Sequence, residues 1–183
     1  MKIIVAVAAA SGMIYARQSL ERLLSCREVE RIALIYSTHA RQVAAHEAIT
    51  LPDDPRITLY DNDDLFASPA SGSAAWDAMV IVPCTVGTLG RIAAGTAQSL
   101  IERAADVMLK ERRRLVLVVR ETPLSLIHLR NMTTLAECGA VILPACPSFY
   151  SHPATLEAAC NTVVERVVAQ LGVEVPHYAW DER

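Results

Sequence analysis

The chain has 183 residues, a net charge of −3 and a hydrophobic content of 52%. This length fits one domain, and the composition excludes an intrinsically disordered chain. The weak net charge gives no electrostatic footprint for nucleic acid or an anionic membrane, and no apolar run approaches the roughly 18 residues that a membrane span needs.

Five short runs of almost entirely apolar residues predict β-strands. They show no alternation of apolar and polar residues, which is typical of strands buried on both faces in a parallel sheet. The first run is too short for a signal peptide and is interpreted as the first strand. The predicted strands cover residues 2–8, 31–37, 78–83, 114–120 and 140–145.

Helical segments separate these strands. The last is the clearest: Pro153 is predicted in its first turn, apolar residues follow at helical spacing to Leu171, and Gly172 is placed as the C-terminal cap. The other predicted helices are 13–25, 39–48, 87–112 (split near Gly95) and 124–138.

The alternation of strand and helix predicts a single-domain α/β fold, a Rossmann-like (flavodoxin-like) doubly wound parallel sheet flanked by helices. The flavoprotein-like domain is predicted over 1–172, and a tail without periodicity over 173–183. Residues 52–73 are rich in Pro, Asp and Ser and are predicted to form a long surface loop. The five cysteines form no C-x-x-C pair, so we expect reduced thiols, a cytoplasmic location and no metal site.

Polar or small residues follow all five predicted strands. In an open parallel sheet, ligands bind beyond the carboxyl ends of the strands. Three of these segments place a small or hydroxyl residue just before a helix, where free N–H groups favour a phosphate, although Ser and Thr are also ordinary helix caps. The usual dinucleotide and triphosphate fingerprints are absent. The segments are residues 9–12, 37–39, 83–88, 120–123 and 144–150.

Four charged residues at three places stand out, and each place has two interpretations. Arg120 and Glu121 end an apolar strand, where they form either an internal ion pair or a ligand clamp. Lys110 ends a helix in a run of charges and could simply be solvated. Arg166 interrupts the regular apolar stripe of the last helix, where a solvent-facing arginine is the default.

Longer motifs give a more specific indication. The segment KERRRLVLVVRETPL at 110–124, HLRNM at 128–132 and PACPSFY at 144–150 together resemble the flavin prenyltransferase (UbiX) family, which includes small proteins encoded together with hydroxyarylic acid decarboxylases. Shorter matches are ASG at 10–12, SGS at 71–73, PCT at 83–85 and RAADV at 103–107. The resemblance covers nearly the whole chain.

The resemblance implies an activity and its partners. Members bind reduced FMN and dimethylallyl phosphate, and join the prenyl group to flavin N5 and C6. The product, prenylated FMN, serves UbiD-type decarboxylases. The family needs no metal and assembles as trimers that pack into dodecamers, with sites between subunits.

The same resemblance assigns site residues by motif. Contacts to FMN fall at the strand ends: Ala9, Ala10, Ser11, Ser37, Thr85, Val86, Gly87, Thr88 and Arg120. Contacts to the prenyl phosphate are Arg120, Tyr150, Arg166 and, from a neighbouring subunit, Lys110. Catalytic roles fall to Ser11, Glu47, Lys110, Glu121 and Tyr150, with Glu47 and Glu121 as the proton-transfer carboxylates. Ser71 and Trp180 lie near positions that line the site.

These residue types suit the chemistry. Breaking an allylic C–O bond sheds a phosphate, and Arg, Lys and Tyr donors stabilise the charge that grows on it. A carboxylate can then remove a proton from the flavin. Two positions depart from the family pattern: Ala9 replaces a glycine, and Val86-Gly87 replaces Met-Lys, which removes a cation beside the phosphate.

Two other flavoprotein functions remain open. One is a relative of the cysteine decarboxylases that act with oxidised FMN on a peptide or on pantothenoyl-cysteine and depend on a histidine. The other, motivated by Ala9 and Gly87, is a non-catalytic flavin carrier or an accessory chain of a decarboxylase.

Overall fold

Six parallel strands form one sheet in the order β3-β2-β1-β4-β5-β6. The structure is a computed structural model and describes residues 1–174. The strands are β1 Lys2–Val7, β2 Arg31–Tyr36, β3 Ile57–Tyr60, β4 Ala78–Cys84, β5 Arg114–Val119 and β6 Val141–Pro144. The helices are α1 Met13–Ser25, α2 Ala40–His46, α3 Val86–Ala93, α4 Leu100–Lys110, α5 Leu126–Glu137 and α6 Leu156–Leu171.

Helices cover both faces of the sheet, as the doubly wound prediction requires. Helices α1 and α6 pack together on one face, whereas α3, α4 and α5 lie on the other, so the sheet separates two apolar clusters. All seven residues of β4 are buried, which explains their uninterrupted apolar sequence. The chain reverses its direction of travel across the sheet between β1 and β4, and such a switch point opens a crevice at the carboxyl ends of the strands.

The prediction of a continuous loop over 52–73 is wrong, because this segment contains β3, a strand beyond the five that were predicted. Ile57–Tyr60 pairs in parallel with β2 at the edge of the sheet. It has only four residues, and none of them is fully buried. Two short 3-10 helices, Ser68–Ala70 and Gly72–Ala74, follow within and just beyond the predicted loop.

The observed helix ends can be compared with the ends predicted from glycine and proline positions. The predicted split near Gly95 is confirmed, since α3 ends at Ala93. Pro153, in contrast, precedes the last helix: Thr155 is its N-cap and accepts a hydrogen bond from Ala158 N. Gly172 caps its other end with φ 82°, as predicted. Within residues 1–174, no helix combines the length and the apolar character that crossing a bilayer requires.

Candidate functional site

The predicted ligand edge is held together by backbone hydrogen bonds between the segments that leave neighbouring strands. These bonds bring the ends of four strands side by side and confirm that the predicted polar segments share one rim of the sheet. They run from Ser37 N to Val7 O (2.9 Å), from Ala8 N to Pro83 O (3.1 Å) and from Arg120 N to Cys84 O (3.2 Å).

Glu47 occupies the N-terminus of α1. Its carboxylate accepts hydrogen bonds from Gly12 N at 2.9 and 3.2 Å and from Met13 N at 2.8 Å, and the Ser11 side chain also binds it. Gly12 has φ 105°, a conformation that glycine adopts without strain. A protein carboxylate therefore takes the anion-binding position at the start of α1.

Glu47 is held in its charged form. Burial raises its pKa, but the hydrogen bonds from Ser11, Gly12 and Met13, together with the charge of Arg120, outweigh burial and lower the pKa below its ordinary 4.5. At neutral pH the side chain is a carboxylate. It can position donors and balance the charge of Arg120, and it accepts a proton only at the expense of these bonds.

The depressed pKa of Glu47 makes a prediction about stability. Because folding lowers the pKa, the carboxylate stabilises the protein above its unfolded pKa of about 4.5, and this stabilisation is lost as pH falls through the folded pKa. Glu47→Gln should therefore lower the free energy of unfolding most at neutral pH, with the deficit shrinking below about pH 4.5. Urea unfolding at several pH values measures this. The exposed Glu137→Gln is the matched control, and an equal, pH-independent deficit in both variants would contradict the assignment.

The predicted phosphate segment forms the start of α3. Thr85 is the N-cap: its Oγ1 accepts from Thr88 N at 3.0 Å and donates to Thr88 Oγ1 at 2.9 Å. The first turn of a helix leaves its N–H groups without partners inside the helix, so those of Val86 and Gly87 can bind a phosphate. We call Thr85, Val86, Gly87 and Thr88 the phosphate cradle.

Arg91, which no sequence motif indicated, contacts the cradle from one turn further along α3. Arg91 Nη2 donates to Thr88 Oγ1 at 3.3 Å, and Arg91 Nε binds the carboxylate of Glu102 on α4. Glu102 is only 3% exposed. The signal that could have found Arg91 was its spacing, since residues three apart on a helix are neighbours.

Arg120 follows β5, and its side chain reaches towards the start of α1, where a Cβ on Gly12 would lie 3.8 Å from Arg120 Cγ. Within the described part of the chain, it forms no ion pair with Glu121, and its Nε is buried without a hydrogen bond. Glu121 accepts instead from Thr122 N at 3.0 Å. The internal-pair interpretation therefore fails. A buried guanidinium donor without a partner favours the ligand-clamp interpretation.

Ala9 departs from the family pattern without backbone strain. The non-glycine residues with positive φ among residues 1–174 are Ala48, Ala75, Arg112 and His152. Ala9 is not one of them, so its Cβ costs nothing in backbone conformation.

Arg166 borders a cavity beside β6. A cavity of about 320 Å³ lies between α6 and the loop that follows β6, and Arg166 borders it with Ser148, Ser151 and Glu165. Tyr150 belongs to the same loop and is 68% exposed. The loop that carries Tyr150 and the helix that carries Arg166 thus border one cavity at the β6 edge of the sheet, beside β5.

Lys110 and Ser71 lie away from this rim. Lys110 is the last residue of α4, just before β5 begins, and it pairs with Glu111. A Cβ on Gly72, the residue after Ser71, would lie 3.1 Å from Lys110 Nζ. The six residues of β5 separate this region from Arg120, a span of roughly 17 Å. A single chain therefore does not bring Lys110 to the strand ends.

Two further expectations concern metal and the C-terminus. Among residues 1–174, no group of three or more His, Cys, Asp or Glu side chains is arranged to hold a metal ion. Trp180, predicted near the site, lies outside the described residues, as does all of the predicted tail beyond residue 174.

Comparison with known proteins identifies the family. The family model "Flavoprotein" matches residues 1–172. The flavin prenyltransferase UbiX of Methanocaldococcus jannaschii is 42% identical over 177 residues, covering 95% of each chain.

Solved structures agree with this match. The crystal structure of AnUbiX in complex with FMN and dimethylallyl pyrophosphate superposes with a TM-score of 0.90 at 37% identity, covering 98% of each chain. A dodecameric FMN-dependent UbiX-like decarboxylase from Escherichia coli O157:H7 gives 0.89 at 38% identity, covering 98% of this chain and 99% of that one. The chain therefore belongs to the flavoprotein family and, within it, to the flavin prenyltransferases of the UbiX type.

Proposed function

We propose that this protein transfers a dimethylallyl group from dimethylallyl phosphate to N5 and C6 of reduced FMN, producing prenylated FMN. The observation that carries this function is a rim that presents cationic and hydroxyl donors at two separate places, the phosphate cradle and the Arg166 cavity. Two phosphate-bearing molecules could bind there side by side. The related protein crystallised with FMN and dimethylallyl pyrophosphate supports this pairing.

The residues present fit FMN. The α1 N-terminus is closed by Glu47, which leaves the α3 N-terminus for the flavin phosphate. Arg120 offers a buried Nε without a partner in the described chain. Ala9, Ala10, Ser11 and Ser37 complete the proposed flavin contacts at the ends of β1 and β2. When bound, the reduced flavin supplies the nucleophilic atoms that take up the prenyl group.

The prenyl phosphate is proposed to lie between Arg120, Tyr150 and Arg166. The C–O bond breaks with both electrons going to the phosphate, so negative charge grows on its oxygens. Fixed guanidinium and phenol donors stabilise that charge, because they are already oriented before it forms.

Proton transfer is proposed for the two carboxylates. Closing the ring at C6 would take up one proton at the prenyl double bond and release one proton from C6, so a carboxylate near the ring would exchange both, and this role is proposed for Glu121. Glu47 acts through Ser11, because the Ser11 hydroxyl is bonded to it and can exchange a proton with a group on the rim.

Lys110 requires a second copy of the chain if it is to reach the prenyl phosphate. We propose a homo-oligomer, trimers packed into a dodecamer, in which Lys110 of a neighbouring subunit completes the site. An exposed apolar face on α5 supports association: Leu126 is 61%, Ile127 68% and Leu129 46% exposed. The dodecameric relative supports the same assembly. A UbiD-type decarboxylase is the proposed acceptor of the product.

Anaerobic incubation with reduced FMN and dimethylallyl phosphate tests this function. Mass spectrometry of the released flavin should show the addition of one C5 unit. Flavin that is bound but unchanged would instead indicate a flavin carrier. Decarboxylation of a cysteine-terminated peptide by the FMN-loaded protein would indicate the cysteine decarboxylase activity.

A further inference from the structure

Arg91 lies close to the phosphate cradle because of its position on α3. It follows Gly87 by four residues, and helical side chains lean back towards the helix N-terminus. A Cβ on Gly87 would lie 3.5 Å from Arg91 Nη1, so the guanidinium lies alongside the bare backbone of Gly87. A positive charge is therefore present at the N-terminal turn although Gly87 carries no side chain.

The guanidinium is held in a fixed orientation. Its Nε is bound by Glu102, and its Nη2 donates to Thr88 Oγ1 at 3.3 Å. Among the described residues, no hydrogen bond partner is found for Nη1, and the Arg91 side chain is 51% exposed. A guanidinium has five N–H donors, so several remain to bind a ligand oxygen.

Glu102 is occupied on the side away from the cradle. Its Oε2 accepts from Gln98 N at 3.0 Å and from Ser99 N at 3.3 Å, where it completes a capping box for α4. These two backbone N–H groups stabilise the negative charge of Glu102. The Glu102 carboxylate holds Arg91 through Nε, and the two Nη groups of Arg91 face the start of α3.

Thr88 links Arg91 to the cradle through its hydroxyl. Thr88 is 3% exposed, and its Oγ1 accepts from both Thr85 Oγ1 and Arg91 Nη2. Because both lone pairs of Thr88 Oγ1 accept hydrogen bonds, the hydroxyl can form one further hydrogen bond, as a donor. Arg91 thus orients a buried donor as well as offering its own.

We propose that Arg91 is a phosphate-binding residue of the flavin site, held by Glu102, and that it replaces the cation lost where Gly87 stands in place of a family lysine. This inference rests on the proposed FMN site. It predicts that Arg91 recognises the phosphate and contributes nothing to binding the isoalloxazine ring.

A purely structural interpretation is the main alternative, because the Arg91–Glu102 pair also joins α3 to α4. The two interpretations differ in ligand dependence. A contact to phosphate changes affinity for FMN and leaves affinity for riboflavin, which has no phosphate, unchanged. If Arg91 only joins α3 to α4, its loss should change the affinities for FMN and riboflavin by the same factor.

The test measures dissociation constants of FMN and riboflavin by fluorescence titration of the whole protein. Arg91→Ala should weaken FMN binding by about tenfold and leave riboflavin binding unchanged, since one charge-assisted hydrogen bond is removed. The double variant Gly87→Lys/Arg91→Ala returns a cation to the cradle and should recover most of the FMN affinity. A Cβ at residue 87 meets only ordinary contacts, at 3.5 and 3.9 Å.

Gly87→Ala/Arg91→Ala is the matched control and should recover nothing. Equal weakening of FMN and riboflavin, or unchanged FMN affinity, would overturn the proposal. No prenyl donor is present in these titrations, so their outcome is independent of the proposed transferase activity. A wild-type protein that binds FMN but transfers no prenyl group would refute the activity and leave the role of Arg91 standing.

Discussion

Arg166→Ala is expected to lower the rate of prenyl transfer by about 10²–10³-fold while FMN binding is retained. Arg166 borders the cavity at the β6 edge, away from the phosphate cradle on α3. Its proposed partner is the prenyl phosphate, whose charge increases as the C–O bond breaks. Removing a donor that acts on developing charge slows the reaction more than it weakens binding of the ground state.

Single-turnover kinetics of anaerobic flavin prenylation measure this effect, and a flavin titration checks FMN binding. Arg27→Ala removes an exposed arginine from the loop between α1 and β2 and serves as the matched control. Unchanged prenylation in Arg166→Ala would remove this residue from the site. Loss of FMN binding would place it in the flavin pocket instead.

Gly12→Ala is expected to destabilise the fold by about 1–3 kcal/mol and to reduce prenyl transfer. At φ 105° an alanine is strained, and its Cβ would lie 2.9 and 3.1 Å from two ring atoms of Tyr15. Either the Tyr15 ring or the turn at residue 12 must shift, and the strain at this φ favours a shift of the turn. The Gly12 and Met13 amides would then lose their alignment with Glu47, whose carboxylate they hold.

Gly95→Ala separates these contributions. Gly95 also has a positive φ of 70°, but no atom lies within 4 Å of its would-be Cβ, so only the backbone strain applies. Denaturant unfolding and the prenylation assay should both show a smaller effect for Gly95→Ala. Equal losses of activity in the two variants would contradict a specific role for the α1 N-terminus.

The central strands could be predicted because they are buried on both faces, which leaves an uninterrupted apolar sequence. The edge strand Ile57–Tyr60 could not, since an edge position buries its side chains only in part and removes that signal. Its location depends on pairing with β2, a contact between residues about 25 apart in sequence. Pro153 was misplaced because the Thr155 cap starts α6 two residues later.

The candidate site was predictable in outline, since the parallel direction of the strands brings their polar carboxyl ends to one rim. The partners of individual residues were not. Glu47 binds amides 34 and 35 residues away, and no local pattern encodes that contact. Arg91 could have been found from its helical spacing to Thr88. Lys110 lies away from the rim because it ends α4 just before β5 begins, at the opposite edge of the sheet.

The carboxylate at the start of α1 bears on which flavin the protein accepts. In dinucleotide-binding folds, the turn after the first strand receives a diphosphate bridge. Here that place already holds a fixed negative charge, which would repel the bridge of FAD and deny it the amides it needs. We therefore expect Glu47 to favour a mononucleotide over its adenylylated form.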